Sequence, residues 1–147
     1  MNKHPYVRAY LAGIAIPTVL LLLVMTVYTI IRYVYDIPVP IEKVIVFPMA
    51  AVPNAWGLWN VLYLAFLARR HFSLGLFGGA LPLLLAPGGY VVTRLLAFAV
   101  PHEVYQIAPF ALPVGLIVYY LVWKYFVGFL NAELGIAQFS KTSGQML

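Results

Sequence analysis

The sequence predicts an all-α integral membrane protein: a bundle of four transmembrane helices built from two tandem helical hairpins. Hydrophobic residues make up 64% of the 147 residues and charged residues only 9%, whereas about a quarter of a soluble domain is charged. Four long apolar stretches divide the chain, and none of them alternates polar and apolar residues as the strands of a membrane barrel do. A soluble protein of this composition would expose large apolar patches, so a lipid environment is expected.

The first apolar stretch, residues 10–31, predicts the first span. It carries no charge, and as a helix it rises about 33 Å, enough to cross a hydrocarbon core of about 30 Å. A signal peptide is the alternative, because Lys3 and Arg8 make the N-terminus basic. The stretch is longer than the apolar region of a signal peptide and no A-x-A cleavage site follows it, which favours a retained span.

Three further apolar stretches predict the other spans, at residues 44–68, 72–100 and 107–130. The chain after them, residues 131–147, is polar enough to predict a short cytoplasmic tail. The first hairpin is therefore expected to occupy residues 1–71, and the second begins at residue 72.

The third span contains a candidate hinge at Pro87, Gly88 and Gly89. Proline removes a helical hydrogen bond and glycine weakens a helix, so the span is expected to be broken near residues 87–89. Backbone groups freed by such a break must face protein or a wet cavity. A kink that only improves packing is one alternative, and a re-entrant hairpin over residues 72–100 is another.

Lysine and arginine residues set the expected orientation, since they accumulate on the cytoplasmic side of membrane proteins. Six of them fall on the side of the two termini: Lys3, Arg8, Arg69, Arg70, Lys124 and Lys141. Three fall on the other side: Arg32, Lys43 and Arg94. Both termini are therefore expected in the cytoplasm, in a plasma membrane such as the bacterial inner membrane.

One sequence motif occurs twice in similar form, as VPIEKVIVFPMA at residues 39–50 and as VPHEVYQIAPFA at residues 100–111. With one residue dropped, the match extends backwards through several pairs: Arg8 and Arg70, Gly13 and Gly75, Tyr28 and Tyr90, Arg32 and Arg94. Arginine, glutamate and tyrosine matches are uncommon by chance in so apolar a chain, although basic ends and aromatic belts recur in unrelated membrane helices. The pattern predicts two parallel repeats related by a pseudo-two-fold axis along the membrane normal.

Gly13 and Gly75 lie in small-xxx-small patterns, which allow helix backbones to approach closely. Under the repeat they occupy equivalent positions, which predicts tight packing of the first helix against the third near the cytoplasmic side. Packing against lipid, or against a second copy of the chain, is the competing interpretation.

The repeated polar residues form the first candidate binding site, which comprises Tyr28, Arg32, Glu42, Tyr90, Arg94 and Glu103. The spacing Tyr-x-x-x-Arg places both side chains on one helical face. Each arginine lies near the outer end of its helix and each glutamate begins the next helix, so the two guanidinium groups could converge on an anionic headgroup or substrate. The structural alternative is arginine that extends to the interface beside an aromatic belt.

A second candidate binding site lies in the second span. Trp56, Trp59, Asn60 and Tyr63 have the spacing of one helical face. Asn60 is deep in the span, where an amide needs a partner on another helix or a water molecule. An inward stripe of aromatic rings around one amide could line a pocket for a flat lipophilic ligand or a lipid tail. A packed seam between helices, held by one hydrogen bond from asparagine, is the alternative.

Catalytic chemistry has little support in this sequence. Cysteine is absent, which excludes thiolate nucleophiles and thiolate metal ligands. The three histidines, His4, His71 and His102, fall on opposite sides of the predicted membrane, and no HExxH, GxSxG, Walker A or GxGxxG motif occurs. No carboxylate is clearly buried in a span, which argues against a proton-coupled antiporter. No catalytic residue, metal or cofactor is predicted, and no nucleic-acid partner.

These observations favour a non-enzymatic protein that binds or moves a lipid or lipophilic small molecule within the bilayer. Membrane lipids are its expected partners, together with a further copy of the chain or another membrane protein. The alternative is an accessory subunit that packs against a larger membrane complex. A carrier predicts an enclosed cavity lined by Trp56, Asn60 and Tyr90, whereas a scaffold predicts a solid bundle with its aromatic and small-residue faces outward.

Overall fold

The computed structural model describes residues 4–36, 45–68, 72–95, 97 and 102–136. These residues are almost entirely helical and include no strand, which confirms the predicted all-α fold class.

The first hairpin consists of helices α1 and α2. Helix α1 runs over Pro5–Tyr35 and begins with a proline, whose missing N–H is no loss at a helix start. Helix α2 is a continuous helical run in three parts. A regular α-helix at Val52–Leu62 lies between wider π-helical segments at Ile45–Ala51 and Tyr63–Leu67.

The second hairpin consists of helices α3 and α4. Helix α3 has a short first part at Leu74–Gly79 and a longer second part at Leu81–Leu95. The hydroxyl of Ser73 caps its start by accepting a hydrogen bond from the Leu76 N–H. Helix α4 runs over His102–Val122, continues as a π-helical segment at Trp123–Val127 and ends with an α-helix at Gly128–Glu133.

Three helices in the described part of the chain are long and apolar enough to cross a membrane, by length and composition. They are Pro5–Tyr35, Leu74–Leu95 and Gln106–Glu133. The predicted span at residues 44–68 is helical over most of its length, but it is not one of these three. Its regular α-helix covers only Val52–Leu62, because the flanking segments have the wider π-helical winding.

The structure shows no interruption of the helix at the expected hinge, because α3 continues through Pro87, Gly88 and Gly89 as part of Leu81–Leu95. The re-entrant hairpin over residues 72–100 stays a prediction. The interruption lies earlier, at Ala80, two residues before Pro82. A proline can remain inside a membrane helix where neighbouring bonds hold the helix, so residue type alone did not locate the break.

The helices pack as two hairpins that meet side by side. Helix α1 packs mainly along α2, and the first part of α3 packs along the C-terminal half of α4. The hairpins join through contacts of α1 with the end of α4 and of α2 with α3. The hydrogen bond from the Arg8 guanidinium to the Leu134 carbonyl, at 3.1 Å, places the start of α1 beside the end of α4.

The close packing expected between the first and third helices at Gly13 and Gly75 is wrong. A Cβ on Gly13 would lie 2.6 Å from the Trp56 carbonyl oxygen of α2. A Cβ on Gly75 would lie 2.9 Å from the Tyr120 ring of α4. Each glycine therefore brings together the two helices of its own hairpin, because each helix crosses its hairpin partner at that level.

Burial divides the bundle into two halves. The packed half contains residues 4–17, 52–68, 74–82 and 119–136, and every residue described as buried belongs to it. The open half contains residues 18–36, 45–51, 83–95 and 102–118. Its described side chains are partly or fully exposed. The bundle is therefore solid at the end where α1 begins and α4 ends, and loose at the other end.

The cytoplasmic tail expected over residues 131–147 begins too early. Helix α4 continues to Glu133, and both Asn131 and Ile136 are buried in the packed half. Ile136 belongs to an apolar cluster with Ala9, Ala12 and Leu64. Residues 131–136 are thus part of the core, because their contacts come from α1 and α2 rather than from their own sequence neighbourhood.

Candidate functional site

A pair of asparagine amides joins three helices in the packed half. The Asn60 Nδ2 donates to the Asn131 Oδ1 at 2.8 Å and to the backbone carbonyl of Ala9 at 2.8 Å. The Asn131 Nδ2 donates in return to the Asn60 Oδ1 at 3.1 Å. Only 1% of Asn60 and 7% of Asn131 is exposed. Both Asn60 donors and its carbonyl oxygen are engaged, so this amide holds helices together and has no free N–H for a ligand.

Two residues of the predicted aromatic stripe, Trp59 and Tyr63, face α3. The Trp59 ring stacks on Phe77 with centroids 4.5 Å apart, and its indole N–H donates to the Phe77 carbonyl at 2.8 Å. The Tyr63 hydroxyl donates to the Phe72 carbonyl at 2.7 Å. These bonds satisfy backbone carbonyls where α3 begins and where its first part ends, so Trp59 and Tyr63 join the two hairpins.

Trp56 lies at the centre of the second buried cluster. Its ring is 4.9 Å from Tyr119 and 5.3 Å from Trp123, both on α4. Trp123 is completely buried and lies flat against Gly78 of α3, where an added Cβ would fall 1.8 Å from the Trp123 Cγ. The indole N–H groups of Trp56 and Trp123 have no hydrogen-bond partner. Two strong donors are thus left unsatisfied in the core.

This cluster lies at the boundary of the two halves. Gly115 precedes Tyr119 by one helical turn on the same face of α4, and Gly88 follows Leu85 by one turn on the same face of α3. Leu85 and Tyr119 both border the tryptophan cluster. A Cβ at Gly88 or Gly115 would meet nothing within 4 Å. Beyond the tryptophans, therefore, the inward faces of α3 and α4 leave room.

The open half shows its exposure most clearly in α4. All nine residues from 106 to 114 are exposed, and nine residues make two and a half helical turns. This part of α4 is therefore exposed around its circumference, and among its large apolar side chains Leu112 is the least exposed, at 37%. Large apolar side chains dominate it, such as Ile107 and Phe110 with exposures of 60% and 75%.

Three threonine hydroxyls in the open half are satisfied by carbonyls of their own helices. Thr26 and Thr29 donate to the carbonyls of Leu22 and Met25, at 3.0 and 2.8 Å. Thr93 donates to the Tyr90 carbonyl at 2.7 Å. These groups therefore need no water, which suits an apolar environment around the open half.

The structure describes only part of the first candidate binding site, the one formed by the repeated tyrosine, arginine and glutamate residues. Tyr90 and Arg94 are in contact, with the Arg94 Nε donating to the Tyr90 hydroxyl at 3.1 Å and its Cζ 5.2 Å from the ring centroid. Arg32 is exposed and Tyr28 is partly buried, one turn apart on α1. Glu42 lies outside the described residues. Glu103 lies in α4, but its side chain is not described, so the predicted arginine–glutamate pairs remain predictions.

Three residues of the core were missed by the sequence argument. They are Asn131, which lies in the polar stretch of residues 131–147, Trp123, which precedes the charged Lys124, and Gly78. One signal could have found two of them: Trp123, Val127 and Asn131 recur every four residues, as expected of a buried helical face.

No protein-family model, curated protein or solved structure matches this chain. In the described part of the chain, no group of three histidine, aspartate or glutamate side chains is placed to hold a metal ion. Its function is therefore argued from the geometry of the two halves.

Proposed function

We propose that this chain is an integral membrane protein that binds or moves a lipid or lipophilic small molecule within the bilayer. One observation carries the proposal: every residue from 106 to 114 of α4 is exposed, with Leu112 the least exposed of the large apolar side chains at 37%, while the other end of the bundle is tightly packed. Inside a hydrocarbon layer the space beside such a helix does not stay empty, and apolar walls do not hold water. An acyl chain or a lipophilic molecule fills it.

Two glycines support an inward site rather than ordinary lipid contact alone. Gly88 and Gly115 lie on the faces of α3 and α4 that carry Leu85 and Tyr119 towards the core, and a Cβ on either would meet nothing within 4 Å. The two helices thus leave a space above the tryptophan cluster, which forms its floor. Trp56 and Tyr119 belong to that floor, whereas Asn60 belongs to the packed core below it.

The orientation and the repeat are parts of the same proposal. The Arg8–Leu134 hydrogen bond puts the start of α1 and the end of α4 on one side, which fits cytoplasmic termini and an outer open half. Gly13 and Gly75 each lie where the two helices of one hairpin meet, which supports an ancestral duplication, although the contacts differ: Gly13 lies against the backbone of Trp56 and Gly57, and Gly75 lies against the side chains of Tyr120 and Lys124.

Native mass spectrometry of gently extracted protein tests the function. The wild type is expected to retain a lipophile, and Gly115→Phe is expected to lose most of it because the ring fills the space above Tyr119. Ile117→Phe is the matched control, since Ile117 is 61% exposed and lies on the opposite face of α4. Equal retention by both variants would show that the bound molecule lies elsewhere, and no retention by any protein would refute the proposal.

The second candidate function is that of an accessory subunit. The same exposed helix, with small residues at Gly88 and Gly115, would also suit close packing of a partner helix. A stoichiometric protein partner found in the same spectra, with no small molecule retained, would favour this role.

A further inference from the structure

The three tryptophans of the chain differ in what their indole N–H groups contact. The Trp59 N–H donates to the Phe77 carbonyl at 2.8 Å. The N–H groups of Trp56 and Trp123 have no partner, although only 5% of Trp56 and none of Trp123 is exposed. The Tyr119 hydroxyl lies near the Trp56 indole, but the pair does not have the geometry of a hydrogen bond. Native cores rarely leave two donors unpaired in one cluster.

These two donors lie next to the proposed binding space. Trp56 and Trp123 are in ring contact, and Tyr119, which packs on Trp56, is only partly buried. The open position at Gly115 is one turn away from Tyr119. Tyr119 thus lies between the Trp56 ring and the more exposed part of α4.

The chemistry of the cluster restricts which ligands it can bind. An indole nitrogen donates and does not accept, so the group that pairs with it must be an acceptor. The cluster contains no charged side chain; its buried members are Trp56, Leu81, Trp123 and Val127. A cation cannot accept a hydrogen bond from an indole N–H, and a carboxylate or phosphate would lose its hydration without a balancing charge. A neutral carbonyl oxygen on an apolar molecule fits both conditions.

We infer that the indole N–H groups of Trp56 and Trp123 bind the carbonyl oxygen of a neutral lipophile, whose apolar part lies between the open halves of α3 and α4. This inference rests on the proposed function and adds the class of ligand. Acyl esters and quinones both carry such a carbonyl, and the test includes one of each.

The experiment follows the three indole N–H signals of protein labelled with 15N-tryptophan. The protein is held in an alkyl maltoside detergent, which has no carbonyl of its own, and each signal is assigned from a single Trp→Phe variant. Methyl oleate, a decyl-substituted benzoquinone and 1-octadecene are added separately. Octadecene supplies a chain of similar length without an acceptor, and the Trp59 signal is an internal control.

Methyl oleate or the quinone is expected to move the Trp56 and Trp123 signals downfield, while octadecene leaves them in place. The probe that acts at the lower concentration identifies the carbonyl type. The Trp59 signal is expected to stay constant. Replacing Trp56 by its benzothienyl isostere, which keeps the shape but lacks the N–H, is expected to reduce the affinity for methyl oleate about tenfold. The affinity for octadecene is expected to stay unchanged.

Three outcomes would overturn the inference. Equal binding of methyl oleate and octadecene with no shift of the indole signals would leave lipophile binding intact but remove the carbonyl contact. Indole signals that show contact with trapped water, which no probe displaces, would make the cluster a water site. If no probe binds by mass spectrometry, the proposed function itself fails.

Discussion

Glycines with the same sequence signature have opposite roles at the level of single residues. Gly78 lies under the Trp123 ring, where a Cβ would overlap the ring carbon at 1.8 Å, whereas a Cβ on Gly88 would meet nothing within 4 Å. Both lie in helix α3 and both are followed by glycine. The sequence does not separate them, because the difference depends on which helix lies opposite.

Substitution by alanine is expected to separate these two glycines. Gly78→Ala forces Trp123 to move and should destabilise the bundle by about 1–3 kcal/mol. Gly88→Ala should be neutral, or stabilise α3 by up to about 1 kcal/mol, since alanine is the better helix former. Thermal unfolding in detergent measures both. A loss of stability for Gly88→Ala equal to that of Gly78→Ala would contradict the open space at Gly88.

The asparagine pair is expected to act as one unit. Asn60→Leu or Asn131→Leu alone leaves the other amide buried without its partner and should cost about 1–2 kcal/mol. The double variant should cost less than the sum of the two single variants, because neither amide then remains unpaired. The check is a double-mutant cycle on denaturant unfolding. Strictly additive losses would show that the two amides do not interact.

The need for a partner at Asn60 was predictable, but the partner was not. An amide deep in an apolar span requires a hydrogen bond, so the sequence predicts a partner for Asn60. Asn131 supplies it from the far end of the chain, beside residues that are polar enough to suggest a tail. Long-range pairing depends on how the hairpins meet, which composition and periodicity do not specify.

At the level of helices, composition predicted the spans better than it predicted their interruptions. Apolar length located α1, α3 and α4, which are long and apolar enough to cross a membrane. The break in α3 falls at Ala80 rather than at residues 87–89, and α2 widens into π-helical segments at both ends.

The stability of the end of α4 is expected to depend on Arg8 of α1. The guanidinium donates to the Leu134 carbonyl at 3.1 Å, where the helix leaves its last carbonyls unpaired and its dipole is negative. Arg8→Gln should therefore raise amide exchange over residues 131–136. Arg32→Gln, at an exposed arginine near the end of α1 in the open half, is the control. Unchanged exchange in Arg8→Gln would mean that the contact does not hold the helix end.

At the level of the whole molecule, the division into two halves predicts that protection from hydrogen exchange differs between them. The packed half has asparagine, aromatic and glycine contacts between all four helices, while the open half has exposed apolar faces. Hydrogen exchange is expected to be slow over residues 52–64 and 119–131 and faster over residues 83–95 and 106–114 in detergent. Uniform protection along all four helices would contradict this division.

Topology can be tested directly because the chain has no cysteine. Single cysteines at His4 and Ala132 are expected to react with a membrane-impermeant maleimide from the cytoplasmic side, and one at Tyr33 from the opposite side. The adjacent ends of α1 and α4 require the first two to behave alike. Reaction of His4 and Ala132 from opposite sides would rule out the four-span arrangement.

The central claim is that a lipophile occupies the inward faces of the open half, and photo-crosslinking tests it most directly. A methyl ester of a diazirine-bearing fatty acid is bound in detergent, activated by light and mapped by peptide mass spectrometry. Saturable crosslinks, removed by excess methyl oleate, are expected at Leu85, Gly88, Gly115 and Tyr119, with only unsaturable labelling at Ile117. Labelling confined to outward residues, or labelling that excess methyl oleate does not reduce, would contradict the claim. It would show that lipophiles contact the open half only from outside and do not occupy a site.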